Sequence, residues 1–493
     1  MVTYIIIILA YLIALTVYNF IQARKVKTQD DMMVAGRSLG VTKMVFTLVC
    51  TWIGSGTFIA GAEYAYRAGW SSMWMPAGAW VGIAIIYFLA AKIRTFGHYT
   101  IGDILEERYG KFARLFGAIA LIIAFTTIVS YQFRAGGYIL SVVTDGVVSV
   151  EVGQALAAGF VILFTAIGGM IAVAHTDLPN GIIIMLACII SVPFVVATAG
   201  GLAAPAELLP ASHMLLISPD FGEYPLLKAF SYFLATMFLL LGVQSMYQKF
   251  YSAKTPGDAK KAVVLWIIGT MVVEIVIVVI AIYASSYYWT DPSIDPAAVV
   301  LYAARDMVPA PVGLLLLAAA VVVVISTGMN YLLSPSTNIM RDIYQRFMKP
   351  DASQESMVAL QKVFIVVLGL VAFLMIFLPT VMGWEISVLK YAYFAYTIYG
   401  VAITPALFAA LSWKRATKQG GVASIVTGAT LAIFFDFVLP YVAPQVMIGE
   451  DAWGIPSIYP ALIGSIGMLI VVSLLTPKPD RAVLAKLFPD VKG

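Results

Sequence analysis

Apolar residues come in long blocks along this chain, with polar residues gathered between them. Blocks long enough to cross a bilayer core, about 20 residues each, stand at 3–21, 42–66, 74–91, 115–141, 152–173, 178–199, 226–248, 262–288, 312–339, 363–381, 386–411, 421–440 and 456–475. The pattern predicts an all-α polytopic membrane protein of about thirteen transmembrane helices. The block at 3–21 is too long for a signal-peptide core. It is followed by Arg24, Lys25 and Lys27 rather than a small-residue cleavage site, so it reads as a retained helix.

Composition narrows the function classes. Of 493 residues, 61% are hydrophobic and 11% charged, with mean hydropathy +0.94, which excludes a soluble enzyme. Two cysteines, Cys50 and Cys188, are too few for a disulfide framework or a four-cysteine metal site. His98, His175 and His213 lack metal-ligand spacing, and no nucleophile, phosphate loop or paired acid and base is visible, so no enzymatic reaction is expected.

The distribution of charge sets the topology. With the N-terminus outside, alternate connections collect 25 of the 30 Lys and Arg, among them Arg24, Lys25, Lys27, Arg94, Arg114, Lys249, Lys254, Arg341, Arg346, Lys414, Arg415 and Lys492. The opposite connections carry Asp145, Glu151, Asp220, Glu223, Asp291, Asp295, Glu450 and Asp451. The positive-inside rule then gives N-out and C-in. No connection is long enough for a second domain, so 1–493 is expected to be one transmembrane domain in the plasma membrane, ending in a cytoplasmic tail, 476–493.

Two blocks are interrupted at comparable depth, five spans apart. The first carries Gly54-Ser55-Gly56 and the second Gly242-Val243-Gln244-Ser245. A glycine pair weakens a helix, and unwound backbone at membrane depth is tolerated where it lines a cavity, its carbonyls free for a cation. Close helix packing is the other use of such glycines. Paired breaks predict two inverted five-helix repeats around a midplane site, 42–199 and 226–411, with 3–21 appended before them and two helices, 421–475, after. In the 312–339 block, Ser326 and Thr327 can aim two hydroxyls at one spot together with the Val323 carbonyl. Back-bonding to the preceding turn is the simpler use of such hydroxyls.

Gly36-Arg37-Ser38-Leu39, Phe58 to Tyr66, Tyr99 to Gly110, Gly168 to Asp177, Gln244 to Lys249 with Ala253-Lys254, and Ser326-Thr327 to Tyr344 together resemble the sodium:solute symporter family. The resemblance implies the leucine-transporter fold. It also implies a sodium site made of the Cys50, Ile53 and Val323 carbonyls and the Ser326 and Thr327 hydroxyls, five neutral oxygens for a monovalent ion. Asp177 matches a coupling aspartate, with a helix N-cap as the alternative. Leu178-Pro179-Asn180 departs from the family pattern, which typically has glutamine at position 180. Members with a second sodium use hydroxyls where this chain has Met329 and Asn330, so a second sodium is not expected.

The solute is expected between the breaks, against Trp52, Gly54, Thr57 and Gln244. Trp52-Ile53-Gly54 with Ala62-Glu63 resembles the choline-transporting branch, whose ligand wants an aromatic cage, but Val243 leaves one wall missing. Arg134 sits about seven residues inside its span, roughly 10 Å deep, where a cation faces a cavity or a partner. Its fork suits a carboxylate. Pairing with Glu63 and snorkelling are the alternatives. Glu274, Lys390 and Asp436 read as charges outside the site. The expected function is sodium-coupled symport of a small organic solute by alternating access, the solute carrying a carboxylate as organic and amino acids do. A neutral or quaternary-amine solute is the alternative. The sequence lacks the repeated filter segment that a channel would need, and a membrane sensor would need a further domain. The expected partners are sodium, the solute and the bilayer, with no nucleic acid and no obligate protein partner.

Overall fold

The computed structural model describes residues 2–24, 26–384 and 387–488; Lys25, Lys492 and the first residue of the 386–411 block lie outside them. Among the described residues the structure is mainly helical, with one small antiparallel hairpin pairing Met447–Ile448 with Asp451–Ala452. In order, the helices that matter here are α1 (Val2–Ala23), α2 (Val41–Trp52), α3 (Gly61–Ala68), α4 (Trp74–Phe96), α5 (Ile101–Tyr109), α6 (Lys111–Val143), α7 (Val150–Ala199) and α8 (Pro225–Gly242). They continue with α9 (Gln244–Ser252), α10 (Pro256–Tyr288), α11 (Ala310–Asn338), α12 (Gln354–Val381), α13 (Val388–Ala402), α14 (Thr404–Ser412), α15 (Lys418–Ile433) and α16 (Ile458–Leu475).

Among the described residues, eleven helices are long and apolar enough to cross a membrane, against the thirteen expected. The difference lies at the start of the chain. The 42–66 block does not form one helix, because Ile53 is extended (φ −70°, ψ 95°) and stops α2 after twelve residues. α1 runs Val2–Ala23 over the whole of the expected 3–21 block, and only its Ala10–Gln22 part enters the count as a shorter apolar helix.

The blocks at 152–173 and 178–199 form one trace, α7, turned sharply at Gly169 (φ 55°, ψ −167°). That φ favours glycine, and a Cβ there would run into Met32. The joint therefore precedes Asp177, which lies inside the second arm rather than at a helix end.

Local chemistry sets the other boundaries. Thr100 and Asp103 form a capping box at the start of α5, and Thr255 caps α10 with Pro256 in its first turn. The broken helices sit centrally: α2 packs on α7 and α10, α8 on α4 and α13, and α11 on α6 and α7. By contrast α12 turns Val363, Leu370, Leu374 and Leu378 outward, a face suited to lipid.

Candidate functional site

The break at Ile53 releases backbone carbonyls from the helical ladder. The Thr57 N–H, which would close a turn onto Ile53, bonds the Gly54 carbonyl instead at 2.9 Å. Thr327 on α11 reaches into this gap, its hydroxyl 2.9 Å from the Cys50 carbonyl oxygen and 3.1 Å from that of Ile53. Gly54 permits the approach, since a Cβ there would lie 2.7 Å from Thr327 Cγ2. Ile53 and Gly54 both lie outside the helix, so the break falls at the glycine as expected, and Gly54 is in addition a close-packing point against Thr327.

Asp177 anchors the other side of this cluster. It is fully buried and accepts from the Ser326 hydroxyl, from Thr47 Oγ1 at 2.5 Å and from Asn330 Nδ2 at 3.4 Å. The capping alternative does not hold, because these donors come from α2 and α11 and not from an exposed helix end. Val323 lies one turn before Thr327 on the same face of α11, also buried. Cys50 Sγ turns away to donate to the Asp177 carbonyl at 3.3 Å. The atoms gathered at the gap are therefore oxygens, the donor set that a hard monovalent cation takes.

Beside the gap, the Ser55 N–H donates to Gln132 Oε1 on α6 at 3.2 Å, and the Ser55 hydroxyl donates to the same oxygen. Trp52 Nε1–H donates to Glu274 Oε1 at 2.7 Å, and Trp80 Nε1–H donates to Glu274 Oε2 at 2.6 Å. The Trp52 ring lies 6.0 Å from that of Tyr396 on α13, whose hydroxyl is 3.3 Å from that of Tyr131. Thr57 lies on the half-helix leaving the gap and is partly exposed. Trp52 and Gly54 thus converge with Gln132, Glu274 and Tyr396, three residues that sequence reasoning did not place here. Glu274 is not outside the site, because its carboxylate holds Trp52. A lone carboxylate in an apolar helix was the available signal.

Two expected solute contacts sit elsewhere. Gln244 is buried, but its Oε1 accepts from the Ile101 N–H at 2.6 Å and its Nε2 donates to the Tyr99 carbonyl at 3.4 Å, so it is tied to the start of α5. Arg134 lies two positions beyond Gln132, about 200° around α6, and so faces away from the gap. Its guanidinium is 3.6 Å from Glu151 Oε1 and 5.1 Å from the Tyr138 ring centre. The Arg134–Glu63 pair does not form, since Glu63 is 2.8 Å from Arg67 and accepts from Ser387 at 2.7 Å and the Leu389 N–H at 3.0 Å.

The second break falls at Val243 (φ −66°, ψ 118°), between α8 and α9. The Tyr399 hydroxyl on α13 spans it, donating to the Gly242 carbonyl at 2.7 Å and accepting from the Gln244 N–H at 2.9 Å. Nothing in the sequence singled out this tyrosine.

With this geometry in view, the relatives are informative. The chain is 25% identical over 488 residues to the osmoregulated proline transporter OpuE of Bacillus subtilis, covering 96% of this chain and 94% of that one. It is 26% identical to the high affinity choline transporter 1 of Homo sapiens, covering 82% and 70%, and 25% identical to the sodium/pantothenate symporter of Escherichia coli, covering 86% and 88%. A solved Na+-coupled sialic acid symporter, substrate-bound and outward-open, superposes with TM-score 0.81 at 16% identity over 97% of this chain and 98% of that one. MhsT in complex with L-phenylalanine gives 0.57 at 16% identity, over 90% and 98%. These likenesses show the leucine-transporter fold with its two inverted repeats. The family model described as sodium:solute symporter family matches residues 32–428, so the chain belongs to that family and is an integral membrane sodium-coupled symporter of a small organic solute, not an enzyme.

Proposed function

We propose that sodium binds at the α2 break, on the Cys50, Ile53 and Val323 carbonyls and the Ser326 and Thr327 hydroxyls, with Asp177 coupling the site to α2 and α11. One observation carries this reading: the Thr327 hydroxyl lies within 3.1 Å of both carbonyls that the break releases. Sodium held there draws α11 and α2 together and orders the adjoining Trp52–Gly54–Thr57 wall before the solute is carried inward by rocking of one set of helices against the other.

The solute is proposed to carry a carboxylate. The half-helix leaving the gap directs its N-terminus into the site, a position that favours negative charge. Proline, pantothenate and sialic acid, named for three relatives, are all carboxylates. Arg134 has no part in this recognition. A quaternary amine is the second reading, favoured by the Trp52 and Tyr396 rings beside the Glu274 carboxylate and by the choline-transporting relative. The clustering of Lys and Arg supports N-out, C-in insertion in the plasma membrane, and the two breaks support repeat boundaries near 42–199 and 226–411.

Thermal-shift screening of carboxylic acids, amino acids, sugars and quaternary amines, each with sodium and with potassium, identifies the solute class. Ser326→Ala combined with Thr327→Ala should then abolish sodium-stimulated uptake in proteoliposomes while the protein stays folded. Unchanged sodium affinity in that double variant would remove α11 from the site.

A further inference from the structure

Two polar groups at the proposed solute wall are left half-satisfied, with opposite needs. Gln132 on α6 is fully buried, and its Oε1 accepts from the Ser55 N–H at 3.2 Å and from the Ser55 hydroxyl. A backbone N–H can only donate, which fixes the end of the amide that meets Ser55. The other end, Nε2, is buried and donates to nothing among the described residues. A buried donor left unmade is rare and costly. Glu274 on α10 has the reverse deficit. It is 3% exposed, and its two oxygens accept one indole N–H each, from Trp52 and from Trp80 on α4. Indoles only donate, so both oxygens are acceptors, as in an ionised carboxylate. Among the described residues these two indoles are its hydrogen-bond partners and no cation pairs with it, although a lone anion inside a span calls for one. The two groups border one place. Trp52 and Ser55, which they hold, flank the α2 break, and the Tyr396 hydroxyl that closes on Gly56 belongs to the ring facing Trp52.

We infer that the solute is a zwitterion, its carboxylate accepting from Gln132 Nε2 and its cationic nitrogen seated on the Trp52 ring that Glu274 backs. This rests on the proposed placement of the solute at the α2 break and adds a positive end to it. A carboxylate alone would satisfy Gln132 but bring a second anion beside Glu274. A cation alone would answer Glu274 and leave the Gln132 donor unpaired. A solute carrying the two charges meets the two needs, with its negative end also toward the half-helix N-terminus. Glu274 acts through Trp52 as a positioning residue. By drawing on the indole N–H it sets the ring plane and makes the ring face more attractive to a cation, and Tyr396 supplies the neighbouring aromatic wall. Amino acids and betaines have this chemistry; pantothenate and sialic acid lack the cationic nitrogen.

The probes are amino acids and glycine betaine, each beside its decarboxylated amine and its deaminated acid, as alanine beside ethylamine and propionate, with pantothenate, sialic acid and sugars alongside. They are titrated in sodium onto purified full-length protein and read by thermal shift. One or more zwitterions should bind about tenfold more tightly than the matched amine and acid, the worth of one charge-assisted hydrogen bond. Binding led by a carboxylate without a cationic nitrogen would overturn the zwitterion and leave the carboxylate reading standing. Binding led by an amine or a sugar would overturn both, and binding by no zwitterion would overturn the inference. Two charge variants then assign the ends. Glu274→Gln should narrow the preference for the zwitterion over its deaminated acid about tenfold. Gln132→Glu, which still offers Ser55 an acceptor but puts an anion where Nε2 stood, should shift preference toward the amine by about the same factor. A packing role would weaken all three ligands alike, and unchanged ratios in a folded variant would overturn the end it tests. Equilibrium 22Na+ affinity should stay within about twofold in Glu274→Gln; its loss would make sodium the cation that Glu274 holds and overturn the inference. Where a variant does not fold, the wild-type ranking of zwitterion, amine and acid decides.

Discussion

Gly54→Ala adds one methyl group against Thr327, at the proposed sodium site. Its Cβ would lie 2.7 Å from Thr327 Cγ2, 3.0 Å from Oγ1 and 3.1 Å from Cβ, where carbon atoms prefer about 3.5–4.0 Å. Thr327 is β-branched and buried, so it can relieve the clash in two ways. Either α11 moves away from α2, an overpacking cost of about 1–3 kcal/mol, or χ1 rotates and the hydroxyl leaves both carbonyls, forfeiting two hydrogen bonds worth roughly 0.5–1.5 kcal/mol each. Both routes end near 1–3 kcal/mol and both disperse the oxygens, so sodium affinity should fall by about 5- to 150-fold. Equilibrium 22Na+ binding to purified protein measures this, with Gly40→Ala as the control, since a Cβ at Gly40 meets nothing within 4 Å. A folded Gly54→Ala protein that binds sodium as Gly40→Ala does would refute the close-packing account of this glycine.

Asp177→Asn replaces one acceptor oxygen by a donor facing Thr47, Ser326 and Asn330; sodium affinity should drop about tenfold, the worth of one charge-assisted bond near 1.5 kcal/mol, and an equal loss of folding stability would make the residue merely structural. Arg134→Ala should leave solute affinity within about twofold, because a partly exposed ion pair is worth about 0–1 kcal/mol; a tenfold loss in uptake assays would return the guanidinium to the solute. Glu106 on α5 lies between spans, where partial burial favours its neutral form but Arg346 and Arg114 outweigh that and hold its pKa below the ordinary 4.5. A depressed folded pKa adds stability above the unfolded value and loses it as pH falls through the folded one. Thermal stability should therefore decline on acidification below about pH 4.5, less steeply in Glu106→Gln, and identical pH profiles would exclude Glu106 from this clamp.

The apolar blocks made the architecture legible because lipid-facing and buried helices need nearly continuous hydrophobicity, and the paired breaks stood out against it. Helix ends within an apolar background were harder to see. The turn at Gly169 and the stop at Ile53 depend on dihedral angles and on what packs nearby, as the Gly54–Thr327 approach illustrates. Side-chain direction was harder still. Gln132 and Arg134 are two positions apart on α6, and only the three-dimensional packing shows that the first meets Ser55 and the second meets Glu151. In an apolar α10, position alone does not tell which face carries Glu274, and so Trp52's anchor stayed hidden. Gln244 looked available because its backbone lies at the break, but its side chain is taken by α5.

The Tyr399 hydroxyl bridging the second break has a kinematic consequence. It holds an acceptor on one half-helix and a donor on the other, so α8 and α9 cannot slide or screw past each other without losing both bonds. They can bend about the oxygen as about a pin. Tyr399 is carried by α13, whose Tyr396 faces Trp52 one turn away. Whatever tilts the joint must therefore carry α13 along with it, and the proposed solute wall and the joint move as parts of one lever.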